Sequence, residues 1–119
     1  MTEQLKTNAC LVIYINSESI GSGDSGLGKT LMGAYMETLS HSINEISHII
    51  LINSGVKLAC KGSPVADDLK AFAEVGVRIL SCGTCLKFYG IKDRLEAGEV
   101  SNMVTIVDTL KKAGKVLSP

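Results

Sequence analysis

Two cysteines three positions apart, Cys82 and Cys85 in SCGTCLKFYG at 81–90, are the residues whose types and spacing suggest chemistry most directly. They follow a hydrophobic run, VRILSC at 77–82. A C-x-x-C pair can bind a metal, form a redox disulfide or carry sulfur as a persulfide, and cysteines can also fill a core as small apolar residues. Choosing among these depends on the elements that position the pair.

A structural zinc site requires four ligands, and the sequence contains a single C-x-x-C. Cys10 and His48 begin predicted strands, so we expect them at the end of the sheet opposite to Cys82. Cys60 could reach the pair, but it would bring the ligand number to three at most. We therefore predict no metal and no cofactor.

A thioredoxin-type pair would stand early in the chain, before a later cis-proline loop. Only Pro64 and Pro119 are present, and neither is placed for that role. The sequence therefore argues against a thioredoxin, although reversible oxidation of Cys82 and Cys85 stays open.

A second stretch, GSGDSGLGKT at 21–30, competes with the cysteines. Its residues Gly23–Thr30 fit the phosphate-loop pattern G-x-x-x-x-G-K-[ST] between a predicted strand and a predicted helix. A nucleotide hydrolase also needs a strand that ends in an acidic residue to hold magnesium, but the candidate strands end in Asn53 and Cys82. We interpret the stretch as a glycine-rich turn with Asp24 or Ser25 at a helix start, and nucleotide binding as the less favoured alternative.

Composition limits the class of protein. A chain of 119 residues indicates one domain, residues 1–119, and its 12 basic and 12 acidic side chains balance. We therefore expect neither a nucleic-acid partner nor an anionic membrane surface. No apolar run approaches the ~20 residues needed to span a bilayer, and the first residues do not resemble a signal peptide. These features predict a cytoplasmic protein.

The pattern of apolar residues predicts an α/β fold. Three β-branched runs, at 10–16, 48–53 and 77–82, are typical of strands buried on both faces of a parallel sheet. Helical periodicity separates or follows them at 27–43, 63–76 and 101–114, with a short helix at 92–98 and short strands at 99–100 and 115–117. The alternation predicts a three-layer α/β/α domain with a mainly parallel sheet of four or five strands.

Two of these helices carry specific expectations. Ser63 is expected to cap the helix at 63–76, and Ser101 to start the helix at 101–114. The predicted buried faces are Val65, Leu69 and Phe72 in the first helix, and Val104, Val107 and Leu110 in the second.

The predicted position of Cys82 favours a functional reading. Ligands of open α/β sheets gather beyond the carboxyl ends of the strands, where Cys82 would lie, and Gly83 would allow another molecule to approach closely. Helix-start N–H groups, with Lys57 and Lys87 nearby, would favour the thiolate. Alternatively, the loops 21–28 and 53–60 frame a pocket of a non-catalytic module that binds a small anion or a protein partner.

Four blocks, GSGDSGLGKTLM, LINSGVKLAC, ILSCGTCLKFYGIKDRL and GEVSNM, resemble the DsrE-like domain of YedF-type selenium-metabolism proteins over about residues 9–117. The resemblance implies a DsrE-like fold and a sulfurtransferase-like role in which sulfur is relayed as a cysteine persulfide. The sulfur-bearing cysteine corresponds to Cys82, and Cys85 matches a second cysteine without an assigned role. Family members carry a similar G-D-x-x-L-G-K stretch without being recognised nucleotide hydrolases.

The leading hypothesis is a sulfur-relay protein, with selenium not distinguishable from sulfur. YedF proteins typically begin with a TusA-like domain bearing a C-P-x-P motif, which this sequence lacks. We therefore expect a TusA-like sulfur carrier protein or domain as partner, and the resemblance also implies a homo-oligomer. The predicted catalytic residues are Cys82 and Cys85. The predicted substrate-binding residues are Gly23, Asp24, Asn53, Ser54, Gly55, Lys57, Cys60, Gly83 and Thr84.

Overall fold

Five parallel strands form one sheet in the computed structural model, which describes residues 10–119. The remainder of the predicted domain, residues 1–9, lies outside the described part. The strand order is β4-β3-β2-β1-β5, and every neighbouring pair is parallel. The strands are β1 (Leu11–Ile15), β2 (Ile46–Leu51), β3 (Arg78–Cys82), β4 (Glu99–Ser101) and β5 (Lys115–Leu117).

Four α-helices connect the strands: α1 (Ser25–Ser40), α2 (Ala66–Glu74), α3 (Gly83–Tyr89) and α4 (Met103–Lys112). Short 3₁₀ helices lie at Ile43–Glu45, Asn53–Ala59 and Lys92–Arg94. The first three crossovers move across the sheet in one direction and the fourth returns. With right-handed crossovers, α1, α2 and α3 lie on one face and α4 on the other, which makes three layers.

The core lies on the central strands β1, β2 and β3. Their apolar side chains are buried at consecutive positions, as in Ile49 and Ile50, because both faces of a parallel sheet are covered. The predicted α/β fold with a parallel sheet is confirmed.

The predicted buried face of α4 was wrong for Val104 and Val107, but not for Leu110. Val104 is 81% exposed and Val107 is also exposed, whereas Ile106 is buried and Leu110 is partly buried. Ile106 and Leu110 are one helical turn apart, so they share the face that meets the sheet. The helix starts after Asn102, whose Oδ1 accepts a hydrogen bond from the Thr105 N–H at 2.9 Å.

Two further boundaries differ from the prediction. Helix α2 begins at Ala66, and Ser63 instead accepts a hydrogen bond from the Val65 N–H in the preceding turn. The short helix predicted at 92–98 is only the 3₁₀ turn Lys92–Arg94. The α-helix of this region is α3, which ends at Gly90 in the left-handed conformation with φ of 67°.

Candidate functional site

Cys82 joins β3 to α3. It is the last residue of the strand and the N-cap of the helix, so the sheet and the helix start both fix its position. Gly83 follows because the chain passes close to β4: a Cβ there would lie 3.1 Å from the Ser101 carbonyl oxygen. The glycine therefore serves packing against the neighbouring strand.

The Cys82 side chain makes no capping hydrogen bond, but the polar groups of the first turn of α3 favour its anionic form. Burial raises the pKa of the Cys82 thiol, but polar interactions with the backbone and side chain of Cys85 and of Thr84 outweigh burial, so the pKa is lowered. Because the pKa of Cys82 is lowered and that of Cys85 is raised, Cys82 is the more readily ionised member of the pair.

Cys85 is held between Cys82 and Asn53. The Asn53 N–H donates to the Cys85 Sγ at 3.1 Å, and the Tyr89 hydroxyl donates to the Asn53 Oδ1 at 3.0 Å. Asn53 adopts a left-handed conformation with φ of 51°, which asparagine tolerates better than most residues. Burial raises the pKa of Cys85, the Asn53 N–H lowers it, and the hydrogen bond and charge of Cys82 raise it, so that the net shift is upward.

The two sulfurs differ in access to solvent. Cys82 is only 3% exposed, whereas Cys85 is partly exposed. The expectation that the Cys82 sulfur is reachable in the single chain is therefore not met. Cys85 is therefore the more exposed residue of the pair, and Cys82 is the more readily ionised one.

Lys57 does not contribute to the cysteine pair in the way expected. Its Nζ lies 4.3 Å from the centroid of the Tyr89 ring and 3.6 Å from the Glu18 carboxylate. The pKa of Cys82 is lowered by polar interactions with Cys85 and then Thr84 rather than by a lysine. The neighbouring Ser54 Oγ accepts a hydrogen bond from the Glu18 N–H at 3.1 Å.

Gly55 and Cys60 both pack against neighbouring segments of the fold. A Cβ at Gly55 would lie 2.6 Å from the Ile15 carbonyl oxygen, so glycine lets the 3₁₀ helix pack against the end of β1. The Cys60 thiol is buried and donates to the Val56 carbonyl at 3.4 Å. Burial and then the Glu96 carboxylate raise the pKa of Cys60, which keeps it a neutral thiol.

The Gly23–Thr30 turn is closed by its own side chains. The Asp24 Oδ2 accepts a hydrogen bond from the Leu27 N–H at 2.8 Å, where a phosphate would bind. The Thr30 hydroxyl, which would hold magnesium in a phosphate loop, donates to the Gly26 carbonyl at 3.1 Å. Gly28 packs closely against Ser19. This geometry agrees with a capped helix start.

The structure therefore groups only some of the predicted site residues. Asn53 and Cys85 are joined by a hydrogen bond, and Cys82, Gly83 and Thr84 precede Cys85 at the start of α3. Lys57 reaches this group only through Tyr89, a residue that the sequence analysis missed because no motif marks it. The predicted binding residues Gly23 and Asp24 belong to the α1 turn, and Gly23 has open space around it.

Two searches of residues 10–119 gave negative findings. No group of three or more His, Cys, Asp or Glu side chains in this part of the chain could hold a metal ion. None of its helices is long and apolar enough to cross a bilayer.

A comparison with protein-family models matches residues 12–119 to the DsrE/DsrF-like family. The chain belongs to this family, which places it in a superfamily of the sulfur-relay type. A search of curated proteins found no match.

Solved structures of similar fold come from several organisms. The ychN protein of E. coli shares 20% identity at a TM-score of 0.65, with 92% of this chain and 97% of that chain covered. The protein of unknown function MTH1491 from Methanobacterium thermoautotrophicum shares 18% identity at a TM-score of 0.68, with 92% of this chain and 97% of that chain covered. BT1422 from Bacteroides thetaiotaomicron, also of unknown function, shares 17% identity at a TM-score of 0.61, with 92% of this chain and 95% of that chain covered. These likenesses show the fold.

Proposed function

We propose that this protein is a sulfur-relay protein of the YedF type that carries sulfane sulfur as a persulfide on Cys82. The observation that carries the proposal is the position of Cys82 at the end of β3 and the N-cap of α3, where polar interactions with Cys85 and Thr84 lower its pKa. A group that stabilises a thiolate provides the nucleophile that sulfur transfer requires. Family membership supports the same class of chemistry.

The transfer is a thiolate displacement. The Cys82 thiolate attacks the outer sulfur of a donor persulfide, R–S–SH, so that a new S–S bond forms on Cys82 as the donor S–S bond breaks. The electron pair of the broken bond leaves with the donor sulfur as R–S⁻. An acceptor thiolate then attacks the outer sulfur on Cys82 in the same way and regenerates the Cys82 thiolate.

Cys85 is proposed to serve as hydrogen-bond donor and as the exit route. When deprotonated, it can attack the inner sulfur of the Cys82 persulfide, which forms a Cys82–Cys85 disulfide and releases HS⁻. Because Cys82 is buried in the single chain, a donor needs a local opening of the structure to reach it. The partly exposed Cys85 marks the side from which this approach occurs.

Intact-mass spectrometry tests the proposal. The reduced protein is incubated with a small-molecule persulfide donor, and the mass of one added sulfur atom is expected on the wild type and on Cys60→Ser. Cys82→Ser is expected to show none, whereas Cys85→Ser should retain it and release it more slowly as sulfide. Equal sulfur addition to wild type and Cys82→Ser would refute the proposed role of Cys82.

One observation favours the alternative of a non-catalytic binding module, namely the burial of the Cys82 sulfur. The two functions predict different thiol reactivity. A relay requires Cys82 to react with iodoacetamide below the pH at which an ordinary thiol ionises, whereas a buried structural cysteine reacts slowly at every pH in the folded state. Peptide mapping of the alkylated sites distinguishes Cys82 from Cys85.

The partners remain proposals as well. A TusA-like carrier is the proposed donor or acceptor because a thiol carrier matches the displacement chemistry. Self-association is proposed through the exposed apolar side chains Met103, Val104 and Val107 of α4. Light scattering on wild type and Val104→Glu tests it: the wild type is expected to be larger than one chain and the variant to dissociate.

A further inference from the structure

A cavity of about 510 Å³ lies beside the cysteine pair and is separate from it. It lies beyond the carboxyl ends of β1 and β2, and its wall includes Tyr89, Glu18 and Cys60. Its volume is within the range of small-molecule sites, ≈ 300–1,000 Å³. Neither of the cysteines proposed for sulfur transfer lines it.

The charges around this cavity are strongly unequal. Lys29, Lys57, Lys61 and Arg94 border it, and among its described lining residues Glu18 is the single acid. Glu18 already pairs with Lys57 at 3.6 Å. Within residues 10–119, the side chains of Lys29, Lys61 and Arg94 have no ion pair or hydrogen bond. Because these cations come from separate segments, the fold rather than one charged stretch assembles them.

The remaining wall is apolar. Met32 from α1, Val65 from the turn before α2 and Ile91 after α3 contribute aliphatic surface, and the Tyr89 ring adds an aromatic face. Cys60 contributes a neutral thiol. A ligand that fits this surface therefore needs an apolar body as well as an anionic head group, since an inorganic anion would leave the aliphatic wall in contact with water.

We propose that this cavity is a binding site for a small organic anion, with a phosphate, sulfonate or carboxylate head near Lys61 and Arg94 and an apolar body against Met32, Val65 and Ile91. Tyr89 borders the cavity and also donates to Asn53, whose N–H donates to Cys85. The bound anion would therefore lie two side chains away from the cysteine pair. The proposal does not depend on persulfide formation.

A titration followed by amide NMR of the reduced protein tests the site, with phenyl phosphate as the probe. Saturable shifts are expected at the amides of Lys61, Gly62, Val65 and Ile91. Two further probes each lack one part of phenyl phosphate: benzyl alcohol has an apolar body without charge, and inorganic phosphate has charge without an apolar body. Each should bind at least about tenfold more weakly, which corresponds to a loss of about 1.4 kcal/mol in binding free energy. Added salt should weaken phenyl phosphate binding.

Charge variants make the test specific. Lys61→Gln and Arg94→Gln should each weaken phenyl phosphate two- to fivefold, roughly the contribution of one exposed charge. Glu18→Gln should instead tighten it about twofold, since it removes the one opposing charge. Lys111→Gln, at the shallow apolar groove on α4, is the matched control and should change nothing.

Several outcomes would overturn the proposal. These are shifts confined to the α4 groove at Met103, Val104 and Val107, equal affinity for phenyl phosphate and benzyl alcohol, or weaker binding by Glu18→Gln. Absence of saturation at millimolar probe would also overturn it. Because the titration uses no persulfide, its failure is separate from failure of sulfur loading on Cys82.

Discussion

The turn between β1 and α1 and the turn between β3 and α3 both lie at the carboxyl edge of the sheet, and both contain a sequence motif. In the first, the Asp24 carboxylate accepts the hydrogen bond of the Leu27 N–H. In the second, Cys82 is the N-cap, and polar interactions with Cys85 and Thr84 lower the pKa of its thiol. The helix start thus faces a carboxylate in one turn and a titratable thiol in the other.

This difference shows that the capping side chain decides what a glycine-rich strand-to-helix turn can do. A carboxylate cap stays charged at neutral pH and occupies the place of an external anion. A cysteine cap changes its charge with pH and can form a new bond at the same place. Four experiments would break or sharpen this comparison.

The largest expected effect is on stability at the first turn. Gly28→Ala should lower the free energy of unfolding by about 2 kcal/mol. Overpacking is expected to cost about 3 kcal/mol, and the higher helix propensity of alanine offsets about 1 kcal/mol of this cost. The added Cβ would meet Ser19 and lie 2.9 Å from the Ile20 carbonyl oxygen. Gly23→Ala is the control, with open space around it and a change within about 0.5 kcal/mol. Denaturant unfolding measures both, and equal values would show that packing does not require Gly28.

Removal of the carboxylate cap should have a smaller effect. Asp24→Ala is expected to destabilise by about 1 kcal/mol through loss of the bond to the Leu27 N–H, whereas Asp24→Asn keeps an acceptor and should lose little. Equilibrium dialysis with ATP and magnesium should show no binding by either variant. Nucleotide binding that appears in Asp24→Ala would make the first turn a masked phosphate loop and break the comparison.

At the second turn, the Cys85 side chain is expected to set the ionisation of Cys82. Cys85→Ala removes a hydrogen-bond donor and should raise the pKa of Cys82, while Cys85→Ser keeps an O–H donor and should raise it less. The ultraviolet absorbance of the thiolate, followed against pH, measures this in the folded protein. An identical titration in the two variants would contradict the donor role.

The smallest effect is the pH dependence of stability. The pKa of Cys82 is lowered from 9.0 in the folded state. Its contribution to the free energy of unfolding is therefore fully present above pH 9.0 and is lost as the pH falls through the folded-state pKa. The pKa of Cys85 is raised from 9.0, so its contribution is lost as pH rises through the folded-state pKa. Anaerobic denaturant titrations should therefore place the maximum near pH 9.0, and Cys82→Ser should lack the rise below it. A flat profile for the wild type would speak against both shifts.

The fold was predictable because its signals are local. Runs such as VIYI at 12–15 and IILI at 49–52 are apolar at consecutive positions, which is typical of a buried parallel strand. The face of α4 was not predictable, since Val104 and Val107, three residues apart, and Ile106 and Leu110, four residues apart, both have helical spacing. Only the position of the sheet decides which of the two faces is buried.

The candidate site divides in the same way. The C-x-x-C spacing was sufficient to mark Cys82 and Cys85, and a strand end followed by N–H donors predicted the direction of the Cys82 shift. The burial of Cys82, however, depends on residues that are distant in the chain. Tyr89 and the cavity cations Lys61 and Arg94 are likewise brought together by tertiary structure, with no shared motif in the sequence.

The pairing of β5 with β1 has a consequence for how the chain folds during synthesis. Leu11 lies beside Lys115, so one edge of the first strand stays open until nearly all of the described chain has left the ribosome. Bringing β5 to β1 is slow because closing so long a loop has a high entropic cost. Until then the unpaired edge of β1 can pair with strands of other nascent chains. Translation speed over the last helix and strand should therefore affect the yield of correctly folded protein.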